Sequence, residues 1–139
     1  MEIKELYEIA EKENIKVCKC RLKYTKSFSL INKSGNSFII MGCDCFKTKE
    51  EEKVALAHEL GHIVSGNLYN RYATKRERKY CENIANTIAV HILVPLYKLK
   101  EVLTNNLYKV CDLANIFGVT KKFMRIALRV YGRKLIKLT

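Results

Sequence analysis

Hydrophobic positions in the first third of the chain follow two different periods. Residues 2–13 carry apolar side chains at helical spacing, which predicts a first helix. Residues 14–20, 28–31 and 37–41 have the β-branched and aromatic character of strands. The Ser34-Gly35-Asn36 segment between the last two is typical of a hairpin turn. Together these patterns predict a small antiparallel sheet of two or three strands.

Helical spacing and helix-boundary residues dominate the rest of the chain. Thr48 and Glu51 have the spacing of a capping box, so they predict a helix over Lys49–Ser65. Thr74 and Glu77 have the same spacing and predict a second long helix. Three shorter helices are predicted at about 96–103, 108–117 and 121–130, the last two as a helix-turn-helix-like pair. The predicted fold class is therefore α+β.

Length and composition limit how this chain is organised. Its 139 residues, 48% of them apolar, can bury one core and predict a single domain over 1–139, with 106–139 as a helical C-terminal subregion. No apolar run approaches the ~18–20 residues that cross a bilayer, and the charged N-terminus lacks the features of a signal peptide. A cytoplasmic protein is expected.

The six cysteines are interpreted as incidental thiols. Cys18 with Cys20 and Cys43 with Cys45 form two C-x-C pairs, whereas structural zinc sites usually space their cysteines as C-x₂₋₄-C. Thiols of a cytosolic chain are reduced by default. A second metal site built from the two pairs is the alternative.

One short motif points directly to chemistry. His58-Glu59-Leu60-Gly61-His62 has the form H-E-x-x-H, and it lies in the predicted helix Lys49–Ser65. Residues four apart share one helix face, so both imidazoles can point at one metal ion. Glu59 is turned about 100° away from His58, off the ion but close enough to act on a neighbouring water.

A catalytic zinc needs a third protein ligand and one open position. His91 and several acidic residues are available, and Glu82 on the next long helix is the strongest candidate. Asn86 lies four residues after Glu82 on the same face, where it can accept a hydrogen bond from the outer N–H of a ligand histidine. His91 is about half a turn away from that face and is expected to be a packed or partly exposed histidine.

These motifs resemble the ImmA/IrrE family of metallopeptidases. The string from Leu56 to His62 matches the first block of that family, and Leu113 to Thr120 resembles its third block. The second block, E-x-x-A-[ND]-x-F-A-x-x-L-L-M-P in outline, is matched at Glu82, Ala85, Asn86, Ala89, Leu93 and Pro95. Ile88 stands where Phe is usual, and Ala127-Leu128 stands where Arg-Leu is common.

The resemblance implies a zincin-like domain and a gluzincin-like zinc peptidase. By position, it implies zinc ligands at His58, His62 and Glu82 and a catalytic Glu59. It further implies limited cleavage of one protein substrate, a helix-turn-helix (XRE-type) repressor of a phage or mobile element, so that genes are derepressed.

Stabilising the oxyanion of such a reaction requires one more hydrogen-bond donor. Tyr69, Tyr72 and His91 are the neutral candidates, and the sequence does not choose among them.

The uneven charge supports a competing hypothesis. The formal net charge is +12, and residues 70–139 hold 15 basic and 4 acidic side chains against 11 and 10 in residues 1–69. Lys122, Arg125 and Arg129 share one face of the last predicted helix and could lie against phosphates. The alternative function is a DNA- or protein-binding regulator with a structural or vestigial zinc site. If that helix only packs on the peptidase core, its inward residues are expected to be Phe123, Ile126 and Val130.

Overall fold

A computed structural model describes residues 1–106 and 108–136, which form an α+β fold. Its elements are α1 (Ile3–Lys12), β1 (Ile15–Cys20), β2 (Ser27–Ile31), β3 (Ser37–Gly42), α2 (Lys49–Ser65), α3 (Lys75–Leu93), α4 (Leu96–Asn105), α5 (Val110–Phe117) and α6 (Lys121–Ile136). No helix within these two ranges is long and apolar enough to cross a membrane. The predicted order of a short sheet followed by helices is confirmed.

The sheet is mixed, which corrects the prediction of a purely antiparallel one. β2 and β3 form the predicted antiparallel hairpin, whereas β1 pairs with β3 in parallel, and the strand order is β1-β3-β2. β3 is central because it carries the most deeply buried strand residues, Ile39 and Met41, both with 0% exposure. β2 is consequently an edge strand, and it packs against α2.

Local capping signals locate the long helices correctly. Thr74 accepts a hydrogen bond from the Glu77 amide, and the Glu77 side chain accepts one from the Thr74 amide, which completes the capping box of α3. At α2, Thr48 caps the Glu51 amide, but the Glu51 carboxylate accepts from the Lys47 amide and pairs with Lys26. The ion pair between Glu51 of α2 and Lys26, which directly precedes β2, connects the edge of the sheet to α2.

The buried side chains form one cluster that includes residues of every helix and of the sheet. In α6, however, the inward face differs from the expected one. Phe123 is buried, but Ile126 is only half-buried and Val130 is 36% exposed. The fully buried partners of Phe123 on α6 are Met124, Ala127 and Tyr131. Ile126 and Val130 are therefore left at the surface between α3 and α6.

Candidate metal centre

Helices α2 and α3 cross at unusually close range, and this crossing builds the site. A Cβ atom added to Gly61 would lie 2.5 Å from the carbonyl oxygen of Ala85, which is closer than real Cβ atoms come. Gly61 is inside the H-E-x-x-H motif, and Ala85 is one turn after Glu82. The missing side chain at Gly61 therefore lets α3 come near enough to present Glu82 to the two histidines of α2.

Three potential ligand atoms converge at this crossing. The Nε2 atom of His58 lies 2.6 Å from Oε2 of Glu82, and the Nε2 atom of His62 lies 3.3 Å from Oε1. The two Nε2 atoms are 3.1 Å apart. Of the His, Cys, Asp and Glu side chains in the described ranges, only these three form a group able to hold a metal ion, and we call them the ligand cluster.

Each imidazole is oriented by its other ring nitrogen. Nδ1 of His58 lies 2.7 Å from Oδ1 of Asn86, and Nδ1 of His62 lies 2.9 Å from the carbonyl oxygen of Asn67. Both partner atoms are acceptors, so both Nδ1 atoms donate and each Nε2 atom faces the cluster. Asn86 thus occupies the place expected for it, whereas the Asn67 carbonyl is a partner that the sequence did not indicate.

The electrostatics of the cluster favour a positive charge among its three members. Hydrogen bonds from His58 and then His62 hold the pKa of Glu82 well below its usual range. Burial disfavours a charged His62, but its hydrogen bonds with Glu82 and Asn67 outweigh this, so its pKa is raised. Two imidazole nitrogens and a carboxylate oxygen are also donors that a divalent ion such as zinc accepts. The residues present therefore fit a metal.

Glu59 stands beside the cluster rather than in it. Its side chain is 6% exposed, and its Oε1 accepts a hydrogen bond of 3.0 Å from the hydroxyl of Ser27 on the edge strand β2. Both residues line a cleft of about 370 Å³ that the ligand cluster also borders. Ser27 consequently holds a buried carboxylate beside the cleft.

Of the three candidate oxyanion donors, the structure brings only Tyr69 to the cleft. Its hydroxyl donates a hydrogen bond of 2.6 Å to Glu82, and this bond, together with burial, raises the pKa of Tyr69 to about 12. Tyr72 is 78% exposed and accepts a hydrogen bond from Arg71. His91 contacts the hydroxyl of Tyr131 instead of the cluster.

The other wall of the cleft is the edge strand. Ser27, Phe28 and Ser29 of β2 line it opposite the residues of α2. Because β2 pairs with β3 on one side only, the main-chain groups along its other edge have no strand partner in the described sheet. An extended peptide can pair with such an edge.

The cysteine pairs stay apart from this site. All six cysteines are free thiols, and none belongs to a metal-binding group in the part of the chain that the structure describes. The parallel pairing of β1 and β3 brings Cys20 and Cys43 next to each other, with a hydrogen bond of 2.9 Å from the Cys43 amide to the Cys20 carbonyl.

Comparison with known proteins gives one family. The sequence profile of a peptidase family, described as the IrrE N-terminal-like domain, matches residues 10–129. No curated protein matches the chain. The matched range is most of the chain, and it contains the cleft, the ligand cluster and the helices that hold them.

Proposed function

The chain belongs to the IrrE N-terminal-like domain family of peptidases, and from this membership we propose that it is a zinc-dependent endopeptidase. The observation that carries the proposal is the convergence of His58, His62 and Glu82 beside a buried Glu59. Two histidines and a glutamate leave a fourth position open, which is the arrangement of catalytic rather than structural zinc sites.

The ligand cluster would hold the metal, with Asn86 and the Asn67 carbonyl fixing its two imidazoles. Such an ion supplies Lewis acidity that polarises a carbonyl group and acidifies water. Partners that orient ligand histidines also raise their basicity and strengthen binding. The protein thus supplies a preorganised and partly buried cation site.

Glu59 is the proposed general base and, later, the general acid. Its carboxylate accepts a proton from the attacking water, whose oxygen bonds to the scissile carbonyl carbon. The peptide C–N bond then breaks, and Glu59 returns the proton to the leaving amine. The hydrogen bond from Ser27 holds one carboxylate oxygen, so that the other is free for this transfer.

Tyr69 is the proposed donor to the developing oxyanion. Tyr69 lines the cleft, and its hydroxyl stays protonated at neutral pH because its pKa is about 12. It contacts the cluster through Glu82, so it is near the position where substrate oxygen atoms would lie.

The proposed substrate is a helix-turn-helix repressor of a phage or mobile element, cut once so that genes are derepressed in the cytoplasm. What supports this choice is the resemblance of three sequence blocks to the ImmA/IrrE family. A cleft of about 370 Å³ that the edge strand β2 lines suits a short extended segment of a protein substrate.

Incubation of the zinc-loaded chain with the repressor encoded next to it tests the proposal, with fragments identified by mass spectrometry. We expect one cut, which Glu59→Gln abolishes while its metal content stays that of the wild type. Elemental analysis should find about one zinc per chain, lost in Glu82→Ala and kept in His91→Ala. Cleavage that survives Glu59→Gln would refute the mechanism. A wild-type chain that binds no zinc after reconstitution would instead favour a DNA- or protein-binding regulator with a vestigial site.

A further inference from the structure

A second concave surface begins at the ligand cluster and leads away from the cleft. Its first part is an apolar groove of about 530 Å³. Ser27 and His58 line both this groove and the cleft, so the two spaces adjoin at the metal centre. Val54 of α2 and Phe123 of α6 form part of the apolar lining. A chain that leaves the cleft on this side therefore meets hydrophobic side chains first.

The second part of this surface is basic. It encloses about 570 Å³ between α3 and α6, and it shares Asn86, Lys122 and Ile126 with the apolar part. Its remaining lining residues are Lys79, Asn83, Thr87, Arg125, Arg129 and Val130. We call the two parts together the α3–α6 groove.

The basic part carries charge that the protein does not neutralise. Among the residues that the structure describes, four cationic side chains and no carboxylate line it. Within residues 1–106 and 108–136, no ion pair involves Lys79, Lys122, Arg125 or Arg129, and all four are exposed. In the apolar part, Glu51 provides the one lining carboxylate among the described residues, and it is paired with Lys26. An acidic ligand would meet an uncompensated positive field at one end of the groove.

The shape of the α3–α6 groove favours a peptide over duplex DNA. A recognition helix must project from the protein to enter the major groove, with its N-terminal residues on base edges. On α6 the basic residues Lys122, Arg125 and Arg129 instead line a concavity against α3. Ile126 and Val130 lie between those charges and remain partly exposed, so the groove offers apolar contacts that phosphates do not use.

We propose that the α3–α6 groove binds the substrate on one side of the scissile bond and selects a segment with apolar residues near the cut and several Asp or Glu residues beyond them. This inference rests on the proposed peptidase function, because the groove matters for specificity only if the adjoining cleft holds a scissile bond. The groove thus names the chemistry of the substrate segment that the metal centre alone leaves undefined.

The direct test measures binding without cleavage. Two fluorescent peptides share an apolar stretch and differ in a following run of Glu or Gln, and fluorescence anisotropy measures their affinity for the zinc-loaded Glu59→Gln chain. We expect the Glu peptide to bind about tenfold more tightly at low salt, since several exposed ion pairs each add a modest amount. Raising the salt concentration should shrink this preference.

A matched pair of charge reversals assigns the preference to the groove. In the Glu59→Gln background, Lys122→Glu with Arg125→Glu and Arg129→Glu should abolish it. The control reverses Lys121, Arg133 and Lys134, three exposed residues of α6 outside the groove lining, and should keep it. Equal loss in both triple variants, or no preference in the parent, would overturn the proposal.

Tighter binding of random duplex DNA that is lost only in the groove variant would identify a nucleic-acid site instead. Circular dichroism spectra and melting temperatures would verify that both triple variants fold.

A cleavage arm separates this inference from the proposed function. The zinc-loaded wild-type chain is incubated with a peptide library, and acidic residues should be enriched on one side of the cut sites. If cleavage occurs without that enrichment, and the groove variant cuts the same sites, the inference fails and the peptidase function stands. If the Glu peptide binds in the groove but nothing in the library or the repressor is cut, the proposed function fails and the acidic-segment binding site stands.

Discussion

The α2–α3 pair and the α5–α6 pair use helix packing for opposite purposes. At the α2–α3 crossing, the backbones approach so closely that no Cβ fits at Gly61, and ligand atoms meet within 3.3 Å of their neighbours. In the second pair, buried residues such as Phe123 and Tyr131 anchor α6, while its cationic side chains extend from an exposed face. The first pair holds potential ligand atoms at short distances from one another, whereas the second presents positive charge at the surface.

Because of this difference, the two helix pairs should respond differently to small structural changes. The proposed metal binding and proton transfer depend on distances, so they should be sensitive to a shift of a fraction of an ångström in α2 or α3. Attraction of an acidic segment depends mainly on the sign and number of charges, so α6 should tolerate conservative exchanges. Four predictions probe that contrast.

The largest effect is expected for Tyr69→Phe, which removes one hydroxyl beside the α2–α3 crossing. Losing an oxyanion donor should lower kcat by about 10²-fold, with metal content and KM little changed. Steady-state kinetics on the repressor or a cleaved library peptide measure this. The matched control is Tyr72→Phe, whose hydroxyl lies outside the cleft and should be dispensable. A Tyr69→Phe enzyme with wild-type kcat would exclude Tyr69 from the reaction.

Replacing a helical glycine by alanine should change the free energy of unfolding in opposite directions in the two helix pairs. Gly61→Ala places a methyl group against backbone, so it should destabilise the fold by about 1–3 kcal/mol and weaken metal binding. Gly132→Ala on α6 meets no atom of the described residues within 4 Å and should stabilise that helix by up to about 1 kcal/mol. Denaturant unfolding of the metal-free proteins measures both. Equal changes in the free energy of unfolding at Gly61 and Gly132 would contradict the contrast between the two helix pairs.

Asn86→Ala tests whether the orientation of His58 affects the metal. Loss of this hydrogen bond should weaken zinc binding by about 10–100-fold, as measured by competition with a chelator. Asn83→Ala, on the same helix but outside the ligand cluster and its hydrogen bonds, is the control. Retained affinity in Asn86→Ala would mean that packing alone orients the ring.

The smallest effect is expected where the two regions touch. Lys53 of α2 is 7% exposed, and its amine donates to the carbonyl oxygens of Met1 and of Phe117 at the end of α5. Lys53→Met should lower the free energy of unfolding by about 1 kcal/mol, because the two carbonyl groups, that of Phe117 in a buried position, lose a charged donor. Lys49→Met, an exposed neighbour on α2, should be neutral. No change in Lys53→Met would show that the two helix pairs are energetically independent at this contact.

Local signals explain which parts of the fold could be predicted from the sequence. Thr74 and Glu77 fix the start of α3 by bonding to each other's amides, and Gly66 ends α2 in a left-handed conformation. The H-E-x-x-H motif is likewise local, since a single helix places His58 and His62 on one face. Glu82 could be selected only because Asn86 follows it at one turn and because the family resemblance includes both.

Features that depend on distant partners could not be predicted in this way. The parallel pairing of β1 follows from β3 taking the centre of the sheet, which no short segment encodes. Ser27 reaches Glu59 across 32 positions of the sequence, and the choice of Tyr69 over Tyr72 depends on how the loop before α3 folds. The burial of Met124 instead of Val130 likewise reflects how α6 is rotated against its neighbours.

The two histidines of the ligand cluster also differ in which substitutions would remove the hydrogen bond that orients each ring. His58 depends on a side chain that a single codon change can remove, whereas His62 depends on a carbonyl oxygen that every residue at position 67 would supply. That carbonyl is positioned directly after Gly66, whose φ of +71° few other residues adopt readily. Substitutions at position 67 should therefore leave the orientation of His62 intact, whereas substitutions of Gly66 should disturb it. In this half of the ligand cluster, the residue that supplies the hydrogen bond can vary, and the glycine before it cannot.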